Sequence, residues 1–144
     1  MAVPNDPACV FCSIIRGDSA AAMVFDEGED GACAAFLDRR PLFKGHVLLV
    51  PRAHHGTLPD LPPELVGPLF AHAQRLATAM TTALGSVGSF VAMNNVVSQS
   101  VPHLHVHVVP RTPKDGLKGF FWPRTRYEDD AEMADYAARL AAVL

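Results

Sequence analysis

His103-Leu104-His105-Val106-His107-Val108-Val109-Pro110 is the stretch on which the reading of this chain turns. Three histidines alternate with apolar residues, the period-2 pattern of a strand with one face on a core. As a strand, it points Leu104, Val106 and Val108 inward and puts the three imidazoles on the other face, about 6.5–7 Å apart. Rings so spaced can gather around one small anionic group. They can equally supply three ligands of an open, zinc-like site, since imidazole is the commonest metal ligand. The bland reading is a solvated strand face, and the perfect alternation of three of the seven histidines argues against it. Anion cradle and metal site both stay open at this point. Pro110 cannot donate to a ladder and is expected to end the strand.

A chain of 144 residues is long enough for one domain that buries roughly two thirds of its unfolded surface. The net charge of -3 comes without a basic block or interleaved aromatics, so no nucleic-acid partner is expected. Apolar runs such as Val47–Val50 are strand-length, far short of the roughly 20 residues of a membrane span. Met1 to Ala8 carries neither the charged start nor the apolar core of a secretory signal, and the expected location is cytoplasmic. Three cysteines are an odd count, against a disulfide framework. Cys9 and Cys12 form a C-x-x-C that no strand precedes, which disfavours a thioredoxin-like redox site. Zinc is the better reading, although the pair supplies only half of a tetrahedral set. Cys33 is expected to be a small buried hydrophobe.

The remaining pattern is legible as alternating elements. Ser13 to Arg16, stopped by Gly17, reads as a short helical turn. Met23–Asp26 and Cys33–Leu37 read as a hairpin about the acidic turn Glu27–Gly31, and His46–Val50 as a third strand closed by Pro51. Leu61 to Gly85 is the long helical pattern, with Leu65, Leu69, Leu76, Met80 and Ala83 or Leu84 on one stripe. Pro68 is expected to kink its first turns or delay its start, and His72 to be an ordinary helix residue. Gly88–Met93 is a further strand, and Glu128–Leu144 a closing amphipathic helix with acids in its first turn. The sum is an α+β domain: an antiparallel sheet of about five strands with one long helix packed on it and a C-terminal helix.

The segment Gln99–Val109 resembles the signature of the histidine-triad (HIT) family, and Phe36–Pro51 looks like the same family's nucleotide-binding half. With Cys9, Cys12 and His54 the resemblance covers roughly residues 9–111, leaving 112–144 as a C-terminal extension of a single domain spanning 1–144. It implies a HIT-like fold and nucleotidyl transfer or hydrolysis at the α-phosphate of nucleotide conjugates: phosphoramidates, adenylylated small molecules or dinucleoside polyphosphates. The middle histidine, His105, would attack phosphorus and form a covalent nucleotidyl-imidazole. His107 and Gln99 would complete the catalytic group, with His107, Gln99, Ser100 and Asn94 holding phosphate oxygens. Phe36 would help wall a purine base, and Asp38 would accept from the ribose hydroxyls, as suits an acceptor-only carboxylate. In branches with the C-x-x-C, a structural zinc is held by the positions equivalent to Cys9, Cys12, His54 and His103, with His55 the rival of His54. A homodimer is implied as well.

Two departures from the family pattern stand out. Ser98 occupies a position where glycine commonly precedes the glutamine, and the Asn94–Gln99 loop is about two residues short. Gly119-Phe120-Phe121-Trp122-Pro123-Arg124 has no counterpart in the common motif and is expected to wall the pocket or face a neighbouring chain. The altered loop also admits a different class of function, a nucleotide-binding or partner-scaffolding protein with little activity.

Overall fold

Two short apolar runs split by an acidic turn make the first hairpin, β1 (Met23–Asp26) and β2 (Cys33–Leu37), at the expected bounds. The turn is held by its own acids: Asp26 Oδ1 accepts the Gly28 N–H at 2.9 Å, and Glu27 Oε2 accepts that of Ala32 at 3.1 Å. The structure is a computed structural model that describes residues 6–118 and 124–144. All of the Phe120–Arg124 segment except Arg124 lies outside them.

β3 (Val47–Pro51), β4 (Gly88–Ala92) and β5 (Val106–Arg111) complete a five-stranded antiparallel sheet in the order β1-β2-β3-β5-β4. Phe36, Leu48 and His107 lie opposite one another in a row across β2, β3 and β5, so they share a face. The parity of the strands divides the core in two. Cys33, Ala35, Val47, Leu49, Val106 and Val108 pack under the long helix α2 (Pro63–Leu84). Ala34, Phe36, Leu48 and Val50 pack on the opposite face with Phe11 and Cys12 of the short helix α1 (Val10–Arg16). The histidine face is therefore roofed, not solvated.

Three expectations need correction. The strand carrying the triad begins at Val106, so His103 and His105 precede it and only His107 is within it. Pro110 does not end that strand, which runs on to Arg111. β3 has already stopped opposite Val108, so at Pro110 only β4 runs alongside and a missing N–H is tolerated as at an edge. The N-terminal helix starts at Val10, three residues before the expected turn. Its C-cap Gly17 sits at φ 84°, a left-handed conformation that glycine adopts without a Cβ penalty.

Helix α2 buries Leu69, Ala73, Leu76 and Met80, while Ala83 and Leu84 of the expected stripe are exposed, lining an open cleft with Val24, Leu37 and Val47 of the sheet. Pro68 lies inside it, in the second turn, where the lost N–H is the one that would have bonded Glu64. Burial pushes the Cys33 thiol, on the α2 side, up to about 11, with the Glu27 carboxylate adding to it. The C-terminal helix α3 (Asp130–Ala141) is capped by Asp129, whose side chain accepts the Glu132 N–H at 2.8 Å, and none of its residues is buried. Among the described residues no helix is long and apolar enough to cross a membrane.

Candidate active site and Cys2His2 group

The alternation of the triad survives although its first half is outside the ladder. The Leu104 N–H donates to the His55 carbonyl at 2.7 Å, which pins the extended chain so that Leu104 enters the α2-side core. His103 and His105 thereby turn to the α1 side, where Phe11 meets both rings edge-on, at 5.9 and 5.1 Å between centroids. His105 and His107 stand 5.0 Å apart by the same measure.

Hydrogen bonds to groups that only accept or only donate fix the tautomers. His105 Nδ1 lies 2.7 Å from the His103 carbonyl oxygen, which can only accept. Nδ1 therefore carries the proton, and Nε2 keeps its lone pair. At the other end of the group, His46 Nδ1 accepts the Leu42 N–H at 3.1 Å, so the proton of the neutral His46 ring is on Nε2. That atom lies 2.9 Å from His107 Nδ1, making Nδ1 the acceptor and leaving His107 Nε2–H as a donor. Burial holds His107 well below the ordinary imidazole range, at about 4, with His105 and His46 contributing. Burial lowers His46 in the same way, against the pull of Asp38. His46 and His107 are thus held neutral, and the group turns the His107 Nε2–H and the His105 Nε2 away from their backbone and ring partners.

His46, to which the sequence reading assigned no role, is placed against His107. The signal was its parity: it is in phase with Leu48 and Val50, hence on the same face as His107.

Beside these rings lies a cleft of about 930 Å³ lined by Val10, Phe11, Ile14, Phe36, Asp38 and Arg39, among others. Phe11 is common to both parts, since its ring also meets Phe36 at 5.3 Å. Phe36 is nearly fully buried and offers the cleft little of its surface. Asp38 has one oxygen bound to the Arg40 N–H at 2.9 Å and the other 3.8 Å from His46 Nε2.

The loop 94–100 is bound mainly to itself. Gln99 donates to the Gly56 carbonyl at 2.6 Å and accepts the Val96 N–H at 3.1 Å, while Asn94 donates to the Ser98 carbonyl at 3.2 Å. Ser100 is exposed. Ser98 and Val96 have φ of 62° and 67°, the left-handed region. Ser98 thus takes up a conformation that favours glycine, the residue that the resemblance leads one to expect there.

Cys9, Cys12, His54 and His103 bring one donor atom each to within 4.8 Å of the others. His103 Nδ1 lies 3.5 Å from Cys9 Sγ and 3.6 Å from Cys12 Sγ, and His54 Nδ1 lies 3.4 Å from Cys12 Sγ. His103 Nε2 donates to the Pro51 carbonyl at 2.8 Å, so its Nδ1 lone pair is aimed at the sulfurs. Burial drives His103 down to about 4 and raises the Cys12 thiol. His55 is not in this group; it is buried, burial lowers it, and its carbonyl anchors Leu104.

The HIT domain family model matches residues 21–114. The chain is 36% identical to adenylylsulfatase HINT3 of Arabidopsis thaliana over 76% of its own length, and spans 55% of the length of that relative. It is 34% identical to adenosine 5'-monophosphoramidase HNT1 of Saccharomyces cerevisiae, over 78% of this chain and 68% of the relative. The crystal structure of a Zn-bound histidine triad family protein from Mycobacterium smegmatis superposes with a TM-score of 0.71. It is 34% identical, covering 95% of this chain and 98% of that one.

Proposed function

The chain belongs to the HIT domain family, and from that premise we propose that it is a nucleotide hydrolase or nucleotidyl transferase acting at the α-phosphate of purine nucleotide conjugates. The observation that carries this reading is the bond from His105 Nδ1 to the His103 carbonyl at 2.7 Å, which orients the ring and leaves Nε2 as the nitrogen available to act as nucleophile. His105 Nε2 attacks phosphorus; the P–N bond forms as the bond to the leaving group breaks, and the leaving group departs with the electron pair and takes a proton from solvent. Water or another acceptor then attacks the nucleotidyl-imidazole. The P–N bond breaks, its electron pair returns to Nε2, and the proton of the attacking group passes to solvent.

His107 Nε2–H donates to a phosphoryl oxygen where charge builds up. Phe36 walls the base and Asp38 accepts from the ribose, both on the same cleft. Asn94, Gln99 and Ser100 hold the phosphate from the loop. The match to relatives described as an adenylylsulfatase and an adenosine 5'-monophosphoramidase supports small adenylylated compounds and phosphoramidates as the substrate class.

Cys9, Cys12, His54 and His103 would hold a zinc ion. Two thiols and two imidazoles, one with its lone pair aimed by Pro51, are the closed tetrahedral donor set of structural zinc. Its contribution is rigidity, because His103 also supplies the carbonyl that orients His105. A homodimer belongs to the same reading, supported by the exposed apolar side chains Val87 and Val91 at the outer strand β4 and checked by light scattering.

A fluorogenic adenosine phosphoramidate is the test. Turnover that vanishes in His105→Ala, with an adenylylated protein trapped by rapid quench and mass spectrometry, is expected. Equal rates in both proteins would leave the second reading, a nucleotide binder with little activity. The observation favouring that reading is that the Gln99 amide is already engaged at both ends.

A further inference from the structure

Outside the site just described, one other group of metal-ligating side chains among the described residues joins three separate elements. Glu27 in the hairpin turn, Cys33 at the start of β2 and His72 in the middle of α2 bring a carboxylate oxygen, a sulfur and an imidazole nitrogen to within 4.8 Å of one another. We propose that Glu27, Cys33 and His72 form a second metal site, of zinc class, on the α2 face of the sheet. Nothing in it draws on the reaction proposed above: Cys33 packs under α2, while its neighbour Ala34 points to the α1 side.

The donors suit the ion. Sulfur, nitrogen and oxygen are the three donor types zinc takes, and three protein ligands with one open position are the pattern of an accessible zinc site. A thiolate, a carboxylate and a neutral imidazole around a dication sum to zero net charge, which limits the cost of holding the ion where Cys33 is buried.

The supports are in place as well. Glu27 binds His72 Nε2 with Oε1 and the Ala32 N–H with Oε2, at 3.1 Å. Phe25 lies against the His72 ring, 4.7 Å between centroids and tilted by 31°, which sets its plane. Metal-free, the Arg75 guanidinium approaches His72 Nδ1 at 3.5 Å, so the ring proton is on Nε2 and is donated to Glu27. Metal binding at Nε2 moves that proton to Nδ1, displaces the exposed Arg75 side chain and releases one proton, from Cys33. The ion would then staple the β1–β2 turn to α2, reinforcing the contact that Glu27 makes with His72.

The full chain, stripped of metal and titrated with zinc under reducing conditions, is expected to take up two equivalents by elemental mass spectrometry. Cobalt should show thiolate-to-metal absorption from both sites. Cys9→Ser/Cys12→Ser should remove one equivalent and keep a cobalt band. Glu27→Ala or His72→Ala should remove the other, weakening uptake by more than about 100-fold, beyond what loss of a supporting outer group costs. Glu27 is a surface residue, so Glu27→Ala in the otherwise unchanged chain tests the site even where a cysteine variant fails to fold. One equivalent that neither Glu27→Ala nor His72→Ala alters overturns the second site and leaves the first intact. A wild type that binds one equivalent only, kept in Cys9→Ser/Cys12→Ser and lost in His72→Ala, overturns the first set and supports the second.

Discussion

His46 Nε2 stands 2.9 Å from His107 Nδ1, and this contact decides which nitrogen of His107 carries its proton. The order is set from the backbone outward: the Leu42 N–H fixes His46, and His46 fixes His107. His46→Ala would let the His107 proton move to Nδ1, so Nε2 would present a donor only part of the time. We expect His107→Ala to lower kcat on an adenosine phosphoramidate by about 10²–10³, the cost of one donor to developing charge. His46→Ala should cost less, about 10–100-fold, and His46→Ala/His107→Ala should be no slower than His107→Ala alone, since the two act in series. Losses that multiply would refute the series arrangement.

The pH dependence of stability follows from the same ring. His107 titrates near 4 in the fold and near 6.5 in the unfolded chain, because burial opposes its charge. Between those values the unfolded chain binds more protons, so stability rises with pH across that window. The contribution is fully present above about 6.5 and is lost as pH falls towards 4. The gap corresponds to at most about 3–4 kcal/mol. Urea midpoints between pH 7.5 and 4.5 should therefore fall more steeply for the wild type than for His107→Asn. Parallel curves would show that the ring is not held neutral by the fold.

Much of this was legible in the sequence, and the misses have local causes. β1 and β2 were legible because an acidic, glycine-containing turn bounds their inner ends and each is a short apolar run. The triad's alternation gave the right faces but the wrong strand start. The residues before Val106 are held by the His55 carbonyl and the cysteine group instead of a ladder, and hydrophobic periodicity cannot distinguish those tethers. α1, at seven residues, is too short to show a helical period, so only its glycine stop was visible. His46 was hidden because its meaning lies in the β3–β5 register, in which Leu48 faces His107. The choice between His54 and His55 likewise needed a third dimension: adjacent residues face opposite ways, and only His54 turns to Cys12.

Metal removal should act on the nucleophile through one carbonyl. His103 offers Nδ1 to the cysteines and its carbonyl to His105, so loosening the first loosens the second. Zinc at a 1,000-fold excess over its dissociation constant would stabilise the fold by about 4 kcal/mol. Cys9→Ser/Cys12→Ser is expected to lower the thermal midpoint by about 8–16 °C, at roughly 2–4 °C per kcal/mol. Its kcat should fall while Asp38 and Phe36 keep nucleotide affinity within a few-fold, as equilibrium binding of AMP would report. A variant with unchanged midpoint and kcat would detach the Cys2His2 group from His105.

The loop before the triad carries strain that glycine would relieve. Val96 has φ 67°, a region that costs an L-residue roughly 1–2 kcal/mol and is least tolerated by β-branched side chains. Its side chain is 75% exposed, so no packing is lost on removing it, and the Val96 N–H that Gln99 accepts is kept in Val96→Gly. Against the relief stands the extra unfolded-state freedom of glycine, about 0.4–1 kcal/mol. The net expectation is a gain of about 0.5–1 kcal/mol, or a rise of about 1–4 °C in thermal midpoint for a chain of this size. Val97→Gly is the control: Val97 is as exposed but outside the left-handed region, so the same change there should destabilise. A Val96→Gly midpoint at or below that of Val97→Gly would mean the loop holds no strain at Val96.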